Sequence, residues 1–246
     1  MTAGRIRVGC CGWREARVRY FESFPVVELQ DPFYQMPAPS LAAKWRQSAP
    51  VDFTFCLKAW QLITHTPASP TYRRLKHAVS ASERDLYGSF RPTEQVRLAW
   101  ERTAEIARVL RAAVVVFQCP ASFDESAENL RNFRRFFEDV DREGRLLAWE
   151  PRGPWRPEVV KGLCAEFDLL HAVDPFAGES LHGETLYWRT HGGGNYRHVY
   201  TDEELAWLAE VARQAAAEGH GVYAMFNNMA MAKDARRFQY QVSGEA

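Results

Sequence analysis

The stretch Leu147-Ala-Trp-Glu-Pro-Arg152 reads as a buried strand that stops on a carboxylate, a proline and a guanidinium. An unpaired ion taken out of water is expensive, so ions at the end of a buried strand imply a use for them there. The pattern recurs along the chain. Ala113-Val-Val-Val-Phe117 is apolar at every position, as a strand covered on both faces of a parallel sheet would be, and it too runs into a polar residue, Gln118. Eight such β-like runs occur, at 6–13, 26–30, 52–59, 113–120, 146–152, 169–175, 186–192 and 221–228.

Helical spacing fills several of the gaps. Val96, Trp100, Thr103, Ala107 and Leu110 recur every three or four residues, as do Leu130, Phe133, Phe137 and Val140, then Leu205, Leu208, Ala212 and Ala215. Ser122 with Glu125 and Thr201 with Glu204 have the spacing of capping boxes, and Pro157 suits the first turn of a further helix. The first gap, 14–25, has room for little more than two helical turns, and the gap between the sixth and seventh strands is turn-rich. Residues 66–88 form a polar, basic excursion after strand three, an insertion of the kind that closes over sites. Eight β/α units in 246 residues fit a single (β/α)8 TIM-like barrel over 1–246, with a short first helix and that insertion. An open doubly wound sheet is the alternative. Gly9 and Gly12 do not complete the glycine fingerprint it would carry.

Composition narrows the class. Lys plus Arg and Asp plus Glu are 31 each, so no global charge draws the chain to nucleic acid or an anionic membrane. The apolar fraction of 46% supports a large core, and no apolar run is long enough to span a bilayer. No leader is recognisable, and a cytoplasmic location is expected. The five cysteines, Cys10, Cys11, Cys56, Cys119 and Cys164, lack zinc-ribbon spacing and read as buried thiols.

In a barrel of this type function sits where the strands end. Those ends carry Trp13, Glu28, Lys58, Gln118, Glu150 with Arg152, Asp174, Arg189 with His191, and Asn227 with Asn228. One reading gives proton transfer to Glu150, His191 and Glu28, anion binding to Lys58, Arg152 and Arg189, and orientation to Gln118, Asn227 and Asn228. It requires no cofactor. A second places a divalent metal on Glu150, Asp174 and His191. A third makes Glu28 and Glu150 the carboxylate pair of a glycosidase. The bland counterpart is structural ion pairing, for instance Lys58 with Glu28 or Arg189 with Glu150. After strand seven, His191-Gly-Gly-Gly-Asn-Tyr196 could admit an anion to backbone N–H groups such as that of Gly193, with Arg189 and Arg197 beside it. Trp13, Phe33, Tyr34, Trp155 and Tyr196 could stack on a sugar or base.

The strand ends also resemble those of the family known as domain of unknown function 72, or YecE-like. The similarity rests on Gly12-Trp13, Val27-Glu28, Phe33-Tyr34, Pro37, Trp45, Phe53-Thr-Phe-Cys-Leu-Lys58-Ala59, Ile63-Thr64-His65, Phe117-Gln118 with Pro120, Glu150, Arg152, Trp155, Arg189, His191-Gly192, Tyr196 and Phe226-Asn227-Asn228, in family order. The resemblance implies a TIM-barrel-like fold and supplies no reaction; sugar isomerases and apurinic endonucleases are comparisons by fold only. Departures are Cys10-Cys11 where the family carries Thr-Ser, a shorter first helix, Gln30-Asp31-Pro32 where it has Asn and Ser or Thr, and Asp234 in place of an asparagine. Together these readings predict a hydrolase, lyase or isomerase acting on a small anionic, sugar-phosphate-like molecule. A metal-dependent nucleic-acid enzyme, disfavoured by the neutral charge, and a non-catalytic binding barrel are the alternatives.

Overall fold

A computed structural model describes residues 4–244. Its parallel strands are β1 (Ile6–Cys11), β2 (Val26–Leu29), β3 (Thr54–Lys58), β4 (Val114–Gln118), β5 (Leu146–Glu150), β6 (Leu170–Val173), β7 (Thr185–Thr190) and β8 (Gly221–Phe226). They follow one another in sequence order around a closed barrel. Each is one to three residues shorter at one or both ends than its apolar run. The polar residues Asp174, His191, Asn227 and Asn228 therefore lie just beyond their strands. A residue that leaves the ladder frees its backbone and side chain for other partners.

The helices are α1 (Arg17–Ser23), α2 (Asp31–Tyr34), α3 (Pro39–Ser48), α4 (Gln61–Thr64), α5 (Glu94–Leu110), α6 (Ala127–Asp139), α7 (Pro157–Glu166), α8 (Asp202–Ala217) and α9 (Met231–Ser243). The short first helix and the helix-free link between β6 and β7 agree with the sequence reading. So does the Thr201–Glu204 capping box at α8. The other expected box is corrected: α6 begins on Ser126, whose hydroxyl accepts from the Asn129 N–H. Asp124 explains the shift of start. Its carboxylate takes the Ser126 N–H and the Asn129 side chain, fixing a turn that holds residues 122–125 out of the helix.

The chain packs as two compact units. One contains the residues up to Glu28, Ala49–Thr54, and everything from Leu170 on; the other contains Leu29–Ser48 and Phe55–Leu169. In the first, β1 lies between β2 and β8. Gly9 is opposite Val26, where an added Cβ would meet the Val26 carbonyl oxygen at 2.1 Å, so only glycine allows this strand approach. In the second, β4 joins β3 to β5, and its three valines are fully buried. An aromatic core of Phe90, Phe117, Phe133, Phe137 and Trp149 fills the space under α5 and α6. Residues 66–88 fold into two 3-10 turns, Pro70–Arg74 and Ala81–Leu86. No helix among the described residues is long and apolar enough to cross a membrane.

Candidate functional site

In the unit built around β3, β4 and β5, Lys58 closes β3 and is 5% exposed. Its Nζ stands 3.4 Å from the ring centroid of Phe33, a cation held on an aromatic face. The Phe33 edge meets His65 (4.9 Å between centroids) and Tyr34 (4.9 Å). The insertion folds back on this cluster. Arg74 lies 3.4 Å over the Tyr34 ring, the Tyr72 hydroxyl donates to the His65 carbonyl, and the Lys76 N–H donates to Gln35 Oε1. The excursion is thus tied to α2 and to the segment after β3. Glu150, the last residue of β5 and opposite Gln118 in the ladder, is buried and accepts from Arg152 Nε (3.1 Å) and Nη2 (2.9 Å). The Arg152 side chain is partly exposed. Trp155 is pinned by its indole N–H to the Phe123 carbonyl and stands edge-on to Trp149.

His65 belongs to the residues that carry the family resemblance and lies beyond the strand ends that define the expected site. Burial holds its imidazole down to about 3 from an ordinary 6.5, with the charges of Lys58 and Arg152 acting in the same direction. Between those two values the unfolded chain binds a proton that the native ring refuses, so stability falls as pH falls. We expect a loss of about 1.4 kcal/mol for each pH unit between 6.5 and 3. Urea titrations of wild type and His65→Gln, run from pH 7 to 4, check this. Equal acid sensitivity of the two proteins would refute it.

The unit built around β1, β7 and β8 holds a different arrangement. Glu28 and Arg189, both fully buried, form a two-point ion pair: Nη2 to Oε1 at 2.7 Å and Nε to Oε2 at 3.0 Å. The Tyr187 hydroxyl also donates to Glu28 Oε2, and Cys11, opposite Glu28 in the ladder, touches Arg189. Burial and the Glu28 charge push the Cys11 thiol well up; burial brings Cys10 to about 12. All five cysteines are buried and unbridged, as expected of structural thiols.

Just beyond β7, the His191 N–H donates to Asp174 Oδ2, and Asn227 Nδ2 donates to His191 Nδ1 at 3.0 Å. A ring that accepts at Nδ1 carries its neutral-state proton on Nε2. Tyr196, exposed, presents its ring to His191. Gly192 (φ +70°) gives its N–H to the Tyr200 hydroxyl, and a Cβ there would meet the Asn195 carbonyl oxygen at 2.4 Å. Gly193 and Gly194 are exposed and left-handed. Asn228 is committed to the fold: Nδ2 donates to the His198 carbonyl and to Asp234. Asp234, where the family tends to asparagine, also receives Arg237 and the Tyr200 N–H, so its charge is balanced locally. Trp13 packs against Tyr20, Phe21 and Phe53.

The expected site residues therefore fall into two groups, Lys58, Gln118, Glu150 and Arg152 in one unit and Trp13, Glu28, Asp174, Arg189, His191, Gly193, Tyr196, Asn227 and Asn228 in the other. Among the described residues, no group of three or more His, Cys, Asp and Glu is placed to hold a metal ion.

The sequence profile of the family described as "Protein of unknown function DUF72" matches residues 7–245. The chain belongs to the DUF72 family. Solved DUF72 proteins share its fold. One from Enterococcus faecalis V583 is 20% identical with a TM-score of 0.72, over 97% of this chain and 95% of that one. One from Thermotoga maritima MSB8 is 17% identical with a TM-score of 0.68, over 97% and 99%. A xylose isomerase domain containing protein from Salmonella typhimurium LT2 is 12% identical with a TM-score of 0.59, over 99% and 97%. At these identities the likeness is one of fold. No curated protein matches this DUF72 chain.

Proposed function

We propose that this DUF72 protein is an enzyme acting on a small molecule that carries a phosphate or carboxylate, anchored by Lys58 and Arg152 and processed by proton transfer at Glu150. The observation that carries this reading is the buried Glu150 carboxylate hydrogen-bonded to Arg152 at the end of β5, with the buried Lys58 at the end of β3, one strand away across β4. Lys58 ends β3 and Arg152 lies two residues beyond β5; cations so placed suit an anionic group, and a low-dielectric site strengthens such contacts. A buried carboxylate beside them can move a proton on the anchored molecule. Glu28 and Arg189 serve in this reading as a positioning pair that fixes the ends of β2 and β7.

A second reading places the reaction wholly in the unit of β1, β7 and β8, with His191 transferring the proton. Asn227 favours it, because a hydrogen bond to Nδ1 leaves Nε2–H aimed elsewhere as a defined donor.

The test is calorimetric titration of the full chain with ribose 5-phosphate, inorganic phosphate and glucuronate, with xylose and tagatose as neutral counter-probes. Two fold neighbours, a xylose isomerase domain containing protein and a D-tagatose 3-epimerase-like protein, suggest the neutral pair. We expect binding of an anionic probe and a loss of about 10–100-fold in Lys58→Ala, the size of a charge-assisted contact. Preference for the neutral sugars, or unchanged affinity in Lys58→Ala, would overturn the proposal.

A further inference from the structure

We infer that His65 is a further binding residue of the proposed site, a neutral imidazole whose Nε2–H donates a hydrogen bond to the anionic group held by Lys58 and Arg152. The inference deepens the reading of this DUF72 protein given above and rests on it. Four observations support it. First, His65 is 5% exposed and lies in the C-cap of α4, seven residues after Lys58, so the backbone of one short segment fixes both groups. Second, the Thr64 hydroxyl lies 2.8 Å from Nδ1. A hydroxyl that donates to Nδ1 leaves the ring proton on Nε2, and among the described residues Nε2 has no hydrogen-bond partner. Third, the ring is held on two sides: it packs T-shaped against Phe33, and the His65 carbonyl accepts from the Tyr72 hydroxyl of the insertion. Fourth, Phe33 touches both Lys58 and His65, and burial, with the charges of Lys58 and Arg152 acting in the same direction, keeps the ring neutral near pH 7.

A neutral imidazole flanked by two cations differs in chemistry from a third cation. It adds a directional N–H donor without adding charge that the site would have to neutralise when empty. The Tyr72 contact gives residues 66–88 a defined part as well: they hold the His65 backbone in place.

The test uses the full chain labelled with nitrogen-15 at histidine, and inorganic phosphate as the probe. Long-range proton–nitrogen correlation spectra distinguish Nε2–H, Nδ1–H and imidazolium forms directly. The expected result is an Nε2–H pattern for His65 that stays neutral from pH 5 to 8 and whose Nε2 signal moves on phosphate addition. His65→Leu should weaken phosphate binding about 10-fold, the scale of one hydrogen bond to a charged group, while His65→Gln, which retains an N–H donor, should lose less than about 3-fold. An Nδ1–H or imidazolium pattern at pH 7 refutes the inference without reference to any ligand. Phosphate that binds, weakens in Lys58→Ala, and leaves both the His65 signals and the His65→Leu affinity unchanged refutes it while the wider proposal stands. If His65→Leu fails to fold, the spectra of the wild type and His65→Gln decide. Absence of phosphate binding removes the inference, and absence of glucuronate and ribose 5-phosphate binding as well removes the anion-site reading with it.

Discussion

Arg189→Met is expected to lower the free energy of unfolding by about 3–5 kcal/mol, the cost of removing one partner from a fully buried ion pair. The argument is geometric. Glu28 and Arg189 are closed to solvent and joined at two points, and Tyr187 adds a third hydrogen bond to the same carboxylate. Methionine is close to the aliphatic volume of arginine, so packing changes little. What changes is that a carboxylate taken out of water loses the guanidinium that makes its charge tolerable. The complementary variant should behave differently. Replacing both ions, Arg189→Met with Glu28→Leu, should recover most of the loss, because an apolar pair of similar size needs no compensation. The residual deficit, about 1 kcal/mol, belongs to the Tyr187 hydroxyl left without that acceptor. Urea unfolding of the three variants and wild type gives the full cycle. A single-variant midpoint equal to wild type would show that the pair contributes nothing. A double variant as weak as the single would show that packing, not charge, accounts for the loss.

This pair marks the boundary of what was legible in the amino-acid sequence. The barrel itself was open to reading, because strands buried on both faces must be apolar throughout, and Val114, Val115 and Val116 leave no other role for that segment. The family followed from the same strand ends. Which strand end pairs with which was hidden. Candidate partners for Arg189 and Lys58 could be proposed from charge alone, but the Arg189–Glu28 contact joins residues 161 positions apart and depends on barrel closure. The α6 start is ambiguous in the sequence for a local reason: Ser122 and Ser126 both offer a hydroxyl, and only the turn built by Asp124 selects the second. His65 is not legible as a site residue, because a histidine between apolar residues and a proline-bounded excursion has no pattern of its own. Its signal lay in spacing from Lys58, which gains meaning only once Phe33 from α2 is seen to touch both. The place of Asn228 after β8 suggests a site residue, whereas its amide holds the His198 carbonyl and Asp234. Position at a strand end thus marks where polar side chains gather, and is a poor guide to which of them the fold itself uses.

Glu150→Gln should reduce turnover by about 10^2–10^4-fold, the usual contribution of a positioned proton-transfer group, while leaving affinity for an anionic probe within about 3-fold. The substitution preserves shape, and the amide oxygen can still accept from Arg152, so the two cations that anchor the anion stay near their places. Only the capacity to take and return a proton is removed. The effect on folding is read separately, from the thermal unfolding of wild type and variant. Thermal unfolding therefore separates a lost reaction from a lost fold. The assay is proton exchange: ribose 5-phosphate and glucuronate incubated with the protein in deuterated water, with label uptake or conversion followed by NMR. Two outcomes redirect the assignment. Loss of binding in Glu150→Gln would make its carboxylate a support for Arg152 rather than a proton carrier. Full turnover in Glu150→Gln, together with loss in His191→Gln and a changed pH profile in Asn227→Ala, would place the proton transfer at His191. The second pattern follows from the Asn227–His191 hydrogen bond, since without it Nδ1 can take the proton and the donor at Nε2 is no longer fixed.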